Sequence, residues 1–289
     1  MIRGNKIEHQ VYDPSHRQQV LAEMTKNFPA YFETFSLKPL DQVFAEHIRK
    51  HAQEQDAYRD YMDRIALDEF DYDAAAFKGH TKKRCPIIRR CLQANDEVMK
   101  DYKISFNNVT GRQLLDTVSK LSDFAVAYVA NFNDQVHEAA STPGDLGLNN
   151  LNESEYGCGG VIGYGIQSSL LYGVYPRNFA HRSQNAVWSL YFLSGRKDFG
   201  LLDGSEFLMA HPDLGTCEQN YFYPAELFAF YALHIYRLLK EASAKAGIHF
   251  HDHNRYIYLS AFCDHVGDRH RNDINTYRRS SEYADTHWF

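Results

Sequence analysis

The sequence predicts a mostly α protein, and three observations predict it. Apolar residues recur at helical intervals over long stretches, as in Val43, Phe44, Ile48, Tyr58, Tyr61, Met62 and Ile65, the spacing that gathers side chains on one helix face. Residues 224–246, "PAELFAFYALHIYRLLKEASAKAG", carry Pro and an acid at the start, Lys near the end and a terminal Gly, which are helix start and stop signals. Composition agrees: apolar residues make up 44% and charged residues 24%, the balance of a globular chain.

Taken in order, Pro14 opens a helix over 14–27, and residues 40–70 form one long helix or two in succession. Further helices are expected at 86–102 and 110–138, the second with Leu114, Leu115, Val118, Leu121 and Ala125 on a broad apolar face. The stretch 141–160, "STPGDLGLNNLNESEYGCGG", keeps no helical or strand period and reads as a loop or linker. It divides a helical region at 1–140 from a helical domain at 161–289, giving two helical parts joined by a Gly/Asn-rich loop. Short helices are expected at 165–174 and 183–195, then the long one at 224–246. "RYIYLSAFC" at 255–263 is β-branched and aromatic and reads as strand or helix.

Bulk properties narrow the function classes. The 289 residues suffice for one large domain or two ordinary ones. A formal charge of −6 provides no global basic field for nucleic acid or acidic membranes, though a local patch is compatible with it. Aromatics reach 14%, with 20 Tyr and 19 Phe, so many buried rings carry a polar handle. The five cysteines are odd in number and lack CxxC spacing, which reads as reduced thiols in a cytoplasmic protein. The start "MIRGNKIEHQVYD" has no apolar stretch and so no signal peptide. No apolar run nears the roughly 18 residues of a membrane span.

"VIGYGIQSSLLYGVYP", residues 161–176, sets two glycines one residue apart before a helix. The dinucleotide fingerprint needs Gly at i, i+2 and i+5. Gly163 and Gly165 are followed by Ser168, and Gly157 and Gly159 by Ile162, so the fingerprint is not met; no Gly-Lys-Ser/Thr occurs either. The run Gly163-Tyr164-Gly165, Ile166-Gln167, Ser168-Ser169 resembles helix-hairpin-helix DNA-binding modules of the DNA glycosylase type. The resemblance covers 159–195. It implies DNA backbone contact, with Gly163, Gly165 and Ser168 at a phosphate and Arg177 and Arg182 adding charge. The catalytic Asp of that family is absent, its neighbourhood being held by Arg182, Ser183 and Gln184, which favours DNA contact without base excision. The other reading of the glycines is close helix packing, with Ser as an ordinary cap.

Several other groups invite chemistry. Residues 78–91 hold Lys78, Lys82, Lys83, Arg84, Arg89 and Arg90 with no acid, a phosphate-gripping patch or a solvated face. In "HFHDHNRY", an extended chain would place His249, His251 and His253 on one face, able to converge on Zn or another divalent metal. That run resembles the HxHxDH signature of metallo-β-lactamase hydrolases but is one residue short. His265 and His270, with Asp264 or Asp268, would complete such a site. His47 and His51 share a helix face at i, i+4, without the Glu of HExxH. "RNFAH", Arg177 to His181, resembles the Arg-x4-6-His motif of HEPN ribonucleases with only three residues between. Cys85 beside Arg84 is a candidate for a lowered thiol pKa or a small buried residue.

The leading expectation is therefore a nucleic-acid-associated helical protein that contacts DNA backbone. The alternatives are a metal-dependent hydrolase or nuclease using His249, His251 and His253, and a non-catalytic subunit that docks a protein partner through an aromatic surface.

Overall fold

Asp13 starts the first helix by accepting a hydrogen bond from Ser15 N at 2.7 Å, and Pro14 follows it in the first turn, where no N–H is required. The computed structural model describes residues 9–95, 99–197, 199–201, 206–211 and 216–277. Helix α1 covers Pro14–Ser36, with Pro29 inside it, and so runs past the expected stop. The 40–70 stretch is two successive helices, α2 (Leu40–Met62) and α3 (Arg64–Glu69). Asp63 divides them: its backbone is extended and its carboxylate caps Ala66 N at 2.9 Å.

Asp73 caps α4 (Ala74–Arg84), Pro86 opens α5 (Pro86–Gln93), and α6 spans Met99–Asn108. The helix expected at 86–102 is thus broken in two. Thr110 and Gln113 form a reciprocal capping box on α7 (Gly111–Ala130). Asn133 then caps the short α8 (Asp134–Ala139), which interrupts the helix expected to continue to 138.

Residues 143–146, 149–152 and 154–156 form 3-10 turns. Helices α9 (Tyr164–Val174) and α10 (Gln184–Leu193) follow. A small antiparallel pair, β1 (Leu208–His211) and β2 (Thr216–Gln219), precedes α11 (Ala225–Lys245). The ambiguous 255–263 segment is helical, within α12 (Arg255–Arg269), and residues 271–277 are helical again.

Helix α11 lies at the centre: Leu227, Tyr231, Leu233, Ile235, Tyr236 and Leu239 are all fully enclosed. The stretch 141–160 is packed against the helices. Leu146, Leu148 and Leu151 are buried, and the first two turns lie against α11. Buried residues before and after this stretch belong to one continuous cluster. The closest packings set α2 on α9 and α12, α10 on α12, and α4 on α7. Among the described residues no helix is long and apolar enough to cross a membrane.

Candidate functional site

The entrance of α9 is built from a tight turn. Cys158 and Ile162 pair as an isolated antiparallel bridge, after which Gly163 is extended (φ −98°, ψ −177°) and Tyr164 begins the helix. The element before the glycine pair is therefore a bridged turn preceded by 3-10 turns. No side chain caps α9, which leaves the N–H groups of its first turn without the usual acceptor.

Neither glycine of the pair serves helix packing. A Cβ on Gly163 would meet nothing within 4 Å, and one on Gly165 would meet only the Arg182 carbonyl at 3.9 Å. The close approach is made instead by Gly173, where a Cβ would lie 2.5 Å from the Tyr58 ring. Ser168 Oγ donates to Gly165 O at 2.9 Å and accepts from Arg182 N at 3.0 Å, so its hydroxyl is engaged within the fold.

Arg182 is only 8% exposed, contrary to its expected place among surface cations. Its Nη1 donates to Tyr223 O at 2.6 Å and its Nη2 to Asn220 O, and its guanidinium sits 5.5 Å from the Tyr164 ring and 5.9 Å from that of Phe228. Burial pushes its pKa down to about 10. Arg177 is only half-buried, and a two-point pair with Asp134 holds it. It belongs to a network in which the fully buried Arg255 reaches Asp134 at 2.7 Å and Glu138 at 3.1 Å.

The basic run behaves differently. Lys82, Lys83 and Arg84 occupy the last turn of α4, where cations complement the helix dipole, and Arg89 and Arg90 lie on α5. All five are exposed. Arg90 pairs with Glu54 and donates to Tyr58 Oη at 3.2 Å, while Lys78 donates to Asn107 O and Val109 O. The side chains of Lys82, Lys83, Arg84 and Arg89 have no hydrogen bond or ion pair among the described residues. Elsewhere Arg64, Arg112, Lys120, Lys240 and Arg255 all face carboxylates. Cys85, between α4 and α5, is buried, and burial pushes its thiol up to about 12. The reading of Cys85 as an activated thiol is thereby corrected.

The expected metal cluster does not form. His249, His251 and His253 are exposed, and the chain enters a 3-10 turn at Asp252, which ends the alternation an extended chain would supply. Among the described residues no group of three or more His, Cys, Asp or Glu is placed to hold a metal ion. His265 and His270 turn to α1, bonding Thr34 Oγ1 at 3.1 Å and Tyr31 Oη at 2.8 Å.

Three other histidines do come together, around Tyr172. His181 stacks on the Tyr172 ring with centroids 4.7 Å apart, and His51 meets the same ring edge-on at 5.0 Å. One helical turn from His51, His47 lies beside Asp264, and Asn185 donates to the other carboxylate oxygen at 2.7 Å. Burial lowers the pKa of His51 and takes His181 down to about 4, whereas the Asp264 hydrogen bond raises that of His47. The group thus sets one ring whose surroundings favour the charged form beside two whose burial disfavours it. Ser169 Oγ, 3.0 Å from His181 Nε2, donates its own proton to Gly165 O at 2.8 Å, so His181 donates to the serine and does not activate it. Arg177 and His181, linked in the sequence by the HEPN-like spacing, go to different partners. The sequence shows His47, His51, His181 and Asp264 separately; their meeting depends on the packing of α2, α9 and α12, which no local spacing encodes. No family model, curated protein or solved structure matches the chain.

Proposed function

We propose that the chain binds DNA through its phosphate backbone, with the corner between α4 and α5 as the contact surface. One observation carries this reading: Lys82, Lys83, Arg84 and Arg89 are exposed and unpaired among the described residues, in a chain of net charge −6 whose other cations mostly face acids or carbonyls. Solvated cations in one short stretch are free to displace counterions from phosphates, which is the sequence-independent term in DNA affinity. The uncapped start of α9, with Gly163 and Gly165 exposed, supports it as a second donor surface of the kind used on phosphates. Arg177 and Arg182 are left out of the contact set because Arg177 is paired with Asp134 and the Arg182 guanidinium is buried against the Tyr223 and Asn220 carbonyls.

Charge reversal tests the proposal. A single change such as Lys83→Gln should weaken DNA binding about eightfold at 0.1 M salt, the value of one phosphate contact in the counterion-release relation. The combined variant Lys82→Glu, Lys83→Glu, Arg89→Glu should abolish binding while melting as wild type. An unchanged affinity in that variant would exclude this surface.

A further inference from the structure

Lys82, Lys83, Arg84 and Arg89 flank a joint. Helix α4 ends at Arg84, α5 begins at Pro86, and Cys85 alone separates them. From helix geometry, the Cα atoms of all four lie within roughly 6 Å of the joint, on a corner about 12 Å across. The exposed residues between 82 and 93 are these four, Arg90, which pairs with Glu54, and Gln93.

The rings of this region are turned inward. Phe77 and Tyr61 are enclosed and stacked on each other, His80 lies against both, and Tyr58 is buried. Tyr72 is 98% exposed, but it precedes α4 and stands between Asp71 and Asp73. A helix length of roughly 12 Å separates that end of α4 from Lys82. The corner therefore offers charge to phosphates and no ring face to a base.

We infer that the α4–α5 corner takes double-stranded DNA in preference to single-stranded DNA, an inference that rests on the proposed contact with DNA phosphates. Two effects act in the same direction. A duplex carries one charge per about 1.7 Å of axis, so a corner about 12 Å across faces about seven charges, and one strand offers about half as many. Each neutralised phosphate contributes about 0.9 to the salt exponent on a duplex and about 0.7 on a single strand. A single strand regains affinity chiefly by stacking its bases on side-chain rings. Here those rings are inside the fold or, at Tyr72, beside acids.

Fluorescence anisotropy of the full chain with a labelled duplex and a labelled oligo-dT strand of equal length tests it. With four phosphate contacts, the duplex should bind about twentyfold more tightly at about 20 mM salt. Combining Lys82→Gln, Lys83→Gln and Arg89→Gln changes only exposed side chains. It leaves one contact, so the ratio should fall to about twofold. Equal or tighter binding of the strand by the wild-type chain overturns the inference and leaves DNA contact standing. A ratio unchanged in the triple variant also overturns it, because the preference then arises away from this corner. Failure of both probes to bind removes the proposed DNA contact, and the inference with it.

Discussion

His47 Nε2 lies 3.3 Å from Asp264 Oδ2 while its Nδ1 lies 2.9 Å from the Val43 carbonyl. Both ring nitrogens therefore face acceptors, and only the imidazolium can donate to both. The hydrogen bond to Asp264 raises the His47 pKa against the opposing effect of burial. For Asp264, burial favours the neutral acid, but hydrogen bonds from His47 and Asn185 prevail and lower its pKa.

The linkage follows from these directions. His47 contributes stability that is fully present below its unfolded pKa and is lost as pH rises through its higher folded value. Asp264 contributes above its unfolded pKa and loses this as pH falls through its folded value. The pair thus holds α2 to α12 between the two ranges. Because both side chains are partly open to solvent, the effect is about 0.5–1 kcal/mol. His47→Gln should lower the urea midpoint at pH 5.5 and have little effect at pH 9. An equal loss at both pH values would show that the pair does not titrate as described.

Gly173 and the 163/165 pair should respond oppositely to alanine. A Cβ at 173 would enter the ring of Tyr58, which is buried and bonded to Arg90, so Gly173→Ala should cost about 1–3 kcal/mol through overpacking. Gly163→Ala meets open space and Gly165→Ala has only one ordinary contact, so each should fall within about 0.5 kcal/mol of wild type. Thermal melts of the three variants measure the contrast.

Local features of the fold were legible because they are local. Asp13 before Pro14 and Pro224 at the head of α11 announce helix starts, and the spacing of Leu114, Val118 and Leu121 announces the buried face of α7. The periodicity over 40–70 leaves one helix or two open, and the break at Asn133 is not legible because it rests on a single capping residue inside an otherwise helical period. The glycines show the limit more sharply. Gly163 and Gly165 look distinctive in the sequence, but within α9 the glycine pressed against a neighbouring helix is Gly173, chosen by where α2 crosses α9. Arg182 likewise reads as one more surface cation, and only the packing of Tyr164 and Phe228 around it turns it inward.

The ion network around Arg255 should carry substantial stability. Its guanidinium is fully buried and reaches Asp134 and Glu138, so Arg255→Met removes the one cation among the described residues that bridges the two carboxylates. A loss of about 3 kcal/mol is expected, the lower end for breaking a buried pair, because Arg177 and Lys240 still face these acids. Hydrogen bonds from Arg177 and then Arg255 hold the Asp134 carboxyl down to about 2. That contribution is present above the unfolded carboxylate pKa and is lost as pH falls toward 2. Denaturant unfolding at pH 7 and pH 3 should show the penalty of the variant shrinking at the lower pH.

The proposed contact with DNA phosphates at the α4–α5 corner makes binding depend steeply on salt. With Lys82, Lys83, Arg84 and Arg89 each neutralising one phosphate, log affinity against log salt should have a slope of about −3 to −4 for duplex DNA. Between 50 and 200 mM salt the affinity should therefore fall about a hundredfold. Fluorescence anisotropy with a labelled duplex gives this slope, and replacing Lys82, Lys83 and Arg89 by Gln should bring it to about −1. Absence of binding at 50 mM salt, or a slope unchanged by the triple replacement, would exclude these cations as the DNA contact.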